Sequence, residues 1–543
     1  MKASNYIIYL YIQENDEYYL VHGYSGAIDK VSPDVVRYLS DLADPAHTWH
    51  IKDLEIVRET LRGKKFAGVS DEIVETLKNR GYLTDMSTDE ERQYVSRLAG
   101  FLHRKKVASS SPGFMFIPSY ECNLRCPYCF ETETRVQLGK MKILQNIMTE
   151  PQVDAAFKCM DMITGDRFAD HPEYIKNIRR SITFYGGEPF ATETLPVVEH
   201  IYAEGKKRGY AFGAITNGVD LHDFIHLLGP GKVSFLQITL DGPKEIHNRK
   251  RIGPRHKGGT YDRILANMKR ALDTGVKISV RFHVDFNNID RTEELVDDLR
   301  LEGLFKYENF SIYTYPIHDF HHGIDFPKYP MMAVHHMHRA FEPKPKPFTE
   351  ITAPETDRKL GATLPVTSGK PGRELKVMIP DEGIQRKIKA YLNQKLMGLF
   401  SGSMEPCGAT TGLYIFDPYW KIYTCWDTVG MPGHETGVYS PDGPVLNDRD
   451  KDWLSRSPEK IEECKNCKYA FFHFGGCASL SMGSKRTIFA PACYEFQDNF
   501  LYVAQKLFKG GLDKIPEKGT LPPGIQEATT AAESAIDAPV LAM

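Results

Sequence analysis

Between residues 113 and about 320, short apolar runs alternate with stretches of helical periodicity. The runs read FMFIPS, SITFYGG, FGAITNG, VSFLQITLDG, ISVRFHVD and FSIYTYPI. Six such repeats predict parallel strands joined by crossover helices, an α/β domain closing as a partial (β/α)6 barrel of TIM type. Two runs carry further information in their parity. Gln237, Thr239 and Asp241 alternate with Leu236, Ile238 and Leu240, while Arg281, His283 and Asp285 alternate with Val280, Phe282 and Val284. In a barrel the apolar face packs on the outer helices, so the polar faces look into the lumen, where functional groups collect at the strands' C-terminal ends. An exposed edge strand would show the same alternation and is the competing reading.

Residues 1–105 follow another pattern. YIIYLYI and YYLVHG are β-rich runs split by polar QENDE, a hairpin signature. Ser32 and Pro33 form the cap and first position of a helix through DVVRYLSDL, and LEIVRETLRG and DEIVETLKNRGYL give two more. A hairpin with three short helices resembles the winged-helix domain, the peptide-recognition element that precedes many peptide-modifying enzymes. A DNA-binding winged helix competes, but the last helix mixes Glu72, Glu75, Lys78 and Arg80, a poor surface for phosphate. Residues 321–400 form a Pro-, Lys- and His-rich linker. The histidines at 318, 321, 322, 335, 336 and 338 fit a solvated connection better than a metal site. Residues 401–510 form a cysteine-rich domain, and the Pro/Ala/Glu-rich tail at 511–543 reads as disordered.

Composition narrows the class. The chain has 543 residues, 41% of them hydrophobic and 26% charged, enough for several cores. A formal net charge of −3, without long basic runs, argues against nucleic acid as the substrate. No apolar stretch is long enough to span a bilayer and no signal peptide is evident, so no membrane partner and a cytoplasmic location are expected. The 10 cysteines then favour metal or redox use over disulfides.

Cys122, Cys126 and Cys129 lie in SYECNLRCPYCFE. Three soft thiolates on one loop can hold three irons of a 4Fe-4S cube and leave the fourth iron open. That spacing, with Tyr128 before the third cysteine, resembles the signature of the radical S-adenosylmethionine (SAM) superfamily. The resemblance implies that SAM binds the open iron and is cleaved to a 5′-deoxyadenosyl radical. Gly186, Gly187, Glu188 and Pro189 of TFYGGEPF resemble the family's motif for the SAM amino group: glycines permit close backbone approach, and a carboxylate accepts from an ammonium. TLDGPKEIHNRKR resembles the matching segment of anaerobic sulfatase-maturing enzymes. By that likeness Thr239 and Arg251 contact the SAM carboxylate, with Asp241 and Asn217 nearby.

Cys407, Cys425, Cys464, Cys467, Cys477 and Cys493 resemble the SPASM extension with its auxiliary iron–sulfur clusters. The likeness assigns Cys407, Cys425 and Cys477 to one cluster. It assigns Cys464, Cys467 and Cys493 to another, with His473 standing where the family has a cysteine. A zinc ribbon on Cys464, Cys467, Cys477 and Cys493 is the alternative. Cys159, on a helical pattern among apolar neighbours, reads as a buried thiol.

Together these likenesses imply a peptide maturase that crosslinks or oxidises residues of a ribosomally made (RiPP) precursor. Thioether formation is one such reaction. The partners would be the precursor's leader, added as a strand to the hairpin edge, and a flavodoxin- or ferredoxin-type electron donor. A sulfatase maturase making formylglycine is the first rival. There the general-base aspartate directly follows a cluster cysteine, whereas here Trp426 follows Cys425 and Asp427 comes next. A non-catalytic peptide-binding protein with a zinc ribbon is the second. Asp427, His283 and Asp285 are the places to look for an acid or base.

Overall fold

A computed structural model describes residues 1–316 and 408–508, apart from positions 130, 132–133, 136–137, 140–145, 257, 285–287, 289–290 and 494–495. The 321–400 segment, its histidine cluster, the 511–543 tail, Asp285 and Cys407 lie outside the described residues. Two compact units form, and they do not follow chain order: residues 1–106 join 455–508 in one, and 107–316 join 408–454 in the other. The cysteine-rich region expected as one domain is therefore divided at about residue 454.

In the first unit β1 (Lys2–Ala3) and β5 (Leu83–Thr84) pair antiparallel, and β2 (Ile7–Ile12), β3 (Glu17–His22) and β4 (Ile28–Val31) form an antiparallel meander. The helices Pro33–Asp41, Lys52–Thr60 and Asp71–Asn79 stand where periodicity puts them. Ser32 accepts from the Val35 amide, and Ser70 caps the third helix in the same way. A longer helix, Thr88–Ser109, follows.

Both faces of the meander are apolar. Ile7, Tyr9, Tyr18 and Leu20 pack on the three short helices. Ile8, Leu10, Tyr19 and Val21 pack on Cys464, Cys467, Tyr469, Phe471 and Phe472 of the cysteine segment, with Phe500 and Phe508 of the last helix. A sheet covered on both faces needs near-continuous apolar runs, which is why β2 reads IIYLYI rather than alternating. At this interface Lys468 and Asp53 form a buried ion pair of 2.5 Å. The Lys468 ammonium also donates to the Ile7 carbonyl, 3.1 Å, and Asp53 accepts from the Tyr9 amide, 2.7 Å.

The second unit holds the six expected strands, β6 (Gly113–Phe116), β7 (Ser181–Phe184), β8 (Ala211–Thr216), β9 (Val233–Leu240), β10 (Lys277–Val284) and β11 (Phe310–Pro316). Each is parallel to the next. The helices Glu150–Arg167, Leu195–Lys207, Tyr261–Asp273 and Thr292–Leu301 lie in the crossovers and cover the outer face. The architecture is the open, barrel-like α/β sheet expected. β9 and β10 are interior strands, which removes the edge-strand reading of their parity.

The far side of β6 is not an open edge. β12 (Leu413–Phe416) pairs with it in parallel, and β13 (Lys421–Tyr423), β14 (Gly437–Ser440) and β15 (Gly443–Leu446) continue antiparallel into one ten-stranded sheet.

The Lys468–Asp53 pair generates a prediction. Asp53→Ala strands a buried ammonium and a buried amide and should cost roughly 3–5 kcal/mol in urea unfolding of the full chain. Asp53→Leu with Lys468→Met, which removes both charges, should cost less.

Candidate functional site

The C-terminal ends of successive strands converge on the cysteine loop. The loop follows β6; Gly186–Glu188 follow β7, Asn217 follows β8 and Asp241 follows β9, while His283 lies near the end of β10. Backbone bonds zip the β7 extension to the loop: Tyr185 N to Phe116 O, 2.9 Å, Gly187 N to Ser119 O, 3.2 Å, and Glu188 N to Glu121 O, 3.0 Å. The glycines serve this contact. Gly186 has φ +117°, and a Cβ there would meet Ile117 Cγ2 at 2.6 Å. A Cβ on Gly187 would overlap the Tyr120 and Glu121 carbonyl oxygens. The close approach predicted from these glycines is thus to the chain's own cysteine loop.

Glu188 is buried, and its carboxylate accepts from Thr216 Oγ1 (2.6 Å), Asn217 N (2.7 Å) and Phe190 N (2.9 Å). It ties β7 to β8 and keeps about one of its roughly four lone-pair sites for any ligand. Burial pushes its carboxyl up to about 7, against these three donors. The Pro189 carbonyl accepts from Thr194 and begins the turn toward the next helix.

The third cysteine is anchored through its neighbour. The Tyr128 hydroxyl donates to Asp241 Oδ2, 2.5 Å, and accepts from Arg251 Nη1, 2.8 Å. Arg251 and Asp241 stand 3.7 Å apart. His283 Nδ1 is 3.7 Å from Asp241 and 3.5 Å from the Tyr128 hydroxyl, and Asn288 donates to the Asp241 carbonyl, 2.7 Å. Burial, aided by Asp241 and opposed by Arg251, holds the Tyr128 phenol protonated. Arg251 has one further N–H, on Nε, that is buried without a hydrogen-bond partner among the described residues.

The sulfur atoms sit among donors and cations. Leu124 N lies 3.4 Å and Asn217 Nδ2 3.7 Å from Cys122 Sγ, and Asn217 also donates to Asn123, 2.7 Å. Burial pushes the Cys126 thiol up to about 11, with Arg251 pulling it down, and raises Cys122 further. Buried Arg135 bonds Cys129. Burial opposes its charge, but Cys129, Glu131 and Cys122 outweigh that and stabilise it. Arg135 and Asn123 were not predicted; both lie within thirteen residues of Cys122, where a cation or amide near the loop could have been sought.

This segment matches one known family, the radical SAM superfamily, over residues 116–299. Those residues are a radical SAM domain. Among solved structures, anSMEcpe with bound AdoMet is 17% identical at TM-score 0.48, covering 78% of this chain and 98% of its own. SuiB of Streptococcus suis is 15% identical at TM-score 0.43, covering 90% and 98%. SuiB bound to the precursor peptide SuiA is 13% identical at TM-score 0.41, covering 90% and 98%. No curated protein matches in sequence.

The remaining predicted residues are spread over both units. In the radical SAM domain Thr239 is buried on the inner face of β9. Cys425 follows β13 in the same unit, its thiol 3.9 Å from Asp427 Oδ2. Asp427 is buried, which pushes its carboxyl up to about 7, while Arg281 draws it down.

In the first unit Cys464, Cys467 and Cys493 act on one another electrostatically. Burial lifts Cys467 to about 12 and Cys464 further, each raised again by neighbouring thiols. Arg456, fully buried, donates to the carbonyls of Ile488, Phe474, Gly475 and Ala490 and so holds the loops around these cysteines. Nothing in the sequence pattern marked it. His473 lies against the Phe496 ring at 4.3 Å, and Cys477 precedes the helix Ala478–Lys485. Cys159 is buried on its helix, as expected. Among the described residues no three His, Cys, Asp or Glu side chains converge as ligands of a single metal ion. A cubane makes no such demand, because its thiolates bind separate irons.

Two predictions follow from this geometry. Gly187→Ala should cost about 1–3 kcal/mol in chemical unfolding and reduce the iron retained after anaerobic purification. The second concerns Asp417, which accepts from the Tyr419 and Lys421 amides, 2.9 Å each, and from Tyr120, 3.1 Å; burial pushes it up to about 7. A carboxyl raised on folding holds its proton below that pH while the unfolded chain has released its own, so stability falls as pH rises from about 4 to 7. The urea midpoint of metal-free protein should be higher near pH 5 than near pH 8, and Asp417→Asn should remove a share worth at most about 3 kcal/mol.

Proposed function

We propose that the chain is a radical SAM enzyme of SPASM type that crosslinks or oxidises residues of a ribosomally made precursor peptide. The observation that carries this reading is the Tyr128–Asp241–Arg251 knot, which fixes the three-cysteine loop at the C-terminal mouth of the parallel sheet. The donor set fits a 4Fe-4S cluster on Cys122, Cys126 and Cys129. The thiols are soft, N–H groups point at Cys122, and Arg135 and Arg251 offset the anionic charge that such a cluster brings. When bound, cluster and SAM supply a carbon radical able to take hydrogen from an unactivated C–H bond.

The chain's own residues bind and orient. The unpartnered Nε–H of Arg251 and the hydroxyl of Thr239 suit the SAM carboxylate, and Asn217 and the remaining acceptor of Glu188 suit its ammonium. Cys464, Cys467 and Cys493 are the candidates for an auxiliary cluster, with Arg456 as its counter-charge.

The peptide part of the reading rests on β4, which among the described residues pairs only with β3 and turns partly exposed side chains outward. Such an edge can accept an added strand from a leader. Electrons would come from a flavodoxin- or ferredoxin-type donor. Formylglycine formation is the second reading, favoured by Asp427, whose carboxyl near 7 suits a general base.

Anaerobically purified protein should be brown and iron-bearing; colourless protein holding zinc would support the ribbon alternative. With reductant and SAM it should form 5′-deoxyadenosine, and Cys126→Ala should abolish that product. A variant that still cleaves SAM would refute the site assignment.

A further inference from the structure

The inner face of the sheet is chemically divided. On one side Met115 of β6 and Ile415 of β12 are buried in an apolar cluster with Tyr185, and Ile215 of β8 packs against it. On the other, Gln237 of β9, Arg281 of β10 and Tyr313 of β11 form a polar relay. Arg281 donates its Nε–H to the Tyr313 hydroxyl oxygen, 2.8 Å, and that hydroxyl donates to Gln237 Oε1, 2.7 Å.

The direction of the relay follows from donor and acceptor capacity. A guanidinium can only donate, so the phenol hydrogen goes to an acceptor, which must be the amide oxygen of Gln237. The amide nitrogen is then left over. It is buried without a hydrogen-bond partner among the described residues, on a side chain only 7% exposed. A buried donor left unmade costs about 1–3 kcal/mol, and a ligand oxygen would recover it. Arg281 is oriented by stacking over Tyr315, its charge centre 4.5 Å from the ring. Its charge also acts on Asp427, whose carboxyl it draws down against burial.

Depth separates this pair from the residues proposed for SAM. Gln237 precedes Thr239 by two positions on the same face, so it lies about 6–7 Å further down the strand, away from the cysteine loop.

We propose that Gln237 and Arg281 hold an acceptor oxygen, a peptide carbonyl or a carboxylate, of the residue to be modified. This rests on the reading of the cleft as a radical site and names what its substrate presents there. A guanidinium and an amide N–H both select oxygen acceptors and reject amines.

The test uses the full chain and two probes. N-acetylphenylalanine methylamide offers only amide carbonyls, and N-acetylphenylalanine adds a carboxylate. Binding is read by saturation-transfer NMR, without SAM or reductant. Wild type should bind at least one probe, and Gln237→Leu and Arg281→Met should each weaken it about tenfold or more. Weakening of the methylamide identifies a peptide carbonyl; weakening confined to the acid identifies a carboxylate. Arg281→Lys, which keeps the charge and spares the fold, should fall between wild type and Arg281→Met.

Equal affinity across wild type and variants overturns the proposal, as does failure of wild type to bind either probe. Protein that forms 5′-deoxyadenosine yet binds neither probe removes this proposal alone. Protein that binds the probes but never forms the nucleoside removes the radical reading alone.

Discussion

The carboxylate of Asp241 is the point on which the site depends. It is fully buried, and a carboxylate in that position is tolerated only when hydrogen-bonded and charge-matched. Its partners come from separate parts of the chain: Tyr128 from the cysteine loop, Arg251 from just beyond the helix Lys244–Lys250, and His283 from β10. Satisfying one buried charge therefore orders the loop, the end of β9 and the end of β10 together. The paired glycines of the β7 extension work to the same end by letting backbone lie on backbone. The result is three thiols held at the mouth of the sheet by contacts that need no metal.

Much of this was legible in the sequence. The six apolar runs became six parallel strands, and the parity of β9 and β10 put Gln237 and Arg281 on one polar face, where a tyrosine of β11 now joins them. Those inferences rest on local periodicity, which survives folding because it reflects which face is buried. The cysteine loop was legible for a different reason, since ligand spacing within a few residues is set by the chain itself.

What escaped has the opposite character. β12 pairs with β6 across some three hundred residues, and Lys468 meets Asp53 across 415 positions. No pattern in either segment names its partner. Arg456 and Arg135 were missed because an arginine read alone looks like surface charge, and only the carbonyls or thiols around it reveal a buried role. The glycine motif was found, but not the contact its glycines make, which is with the chain's own cysteine loop.

The double-sided meander has an implication for how such proteins are rearranged. One face of the three strands is completed by helices close in sequence, the other by a stretch more than four hundred residues away. The amino-terminal hundred residues are thus not a cassette that can be clipped off and spliced onto another scaffold. A chimera would have to carry both ends of the polypeptide, or supply a replacement aromatic lid for the bared strands, and natural shuffling would meet the same obstacle.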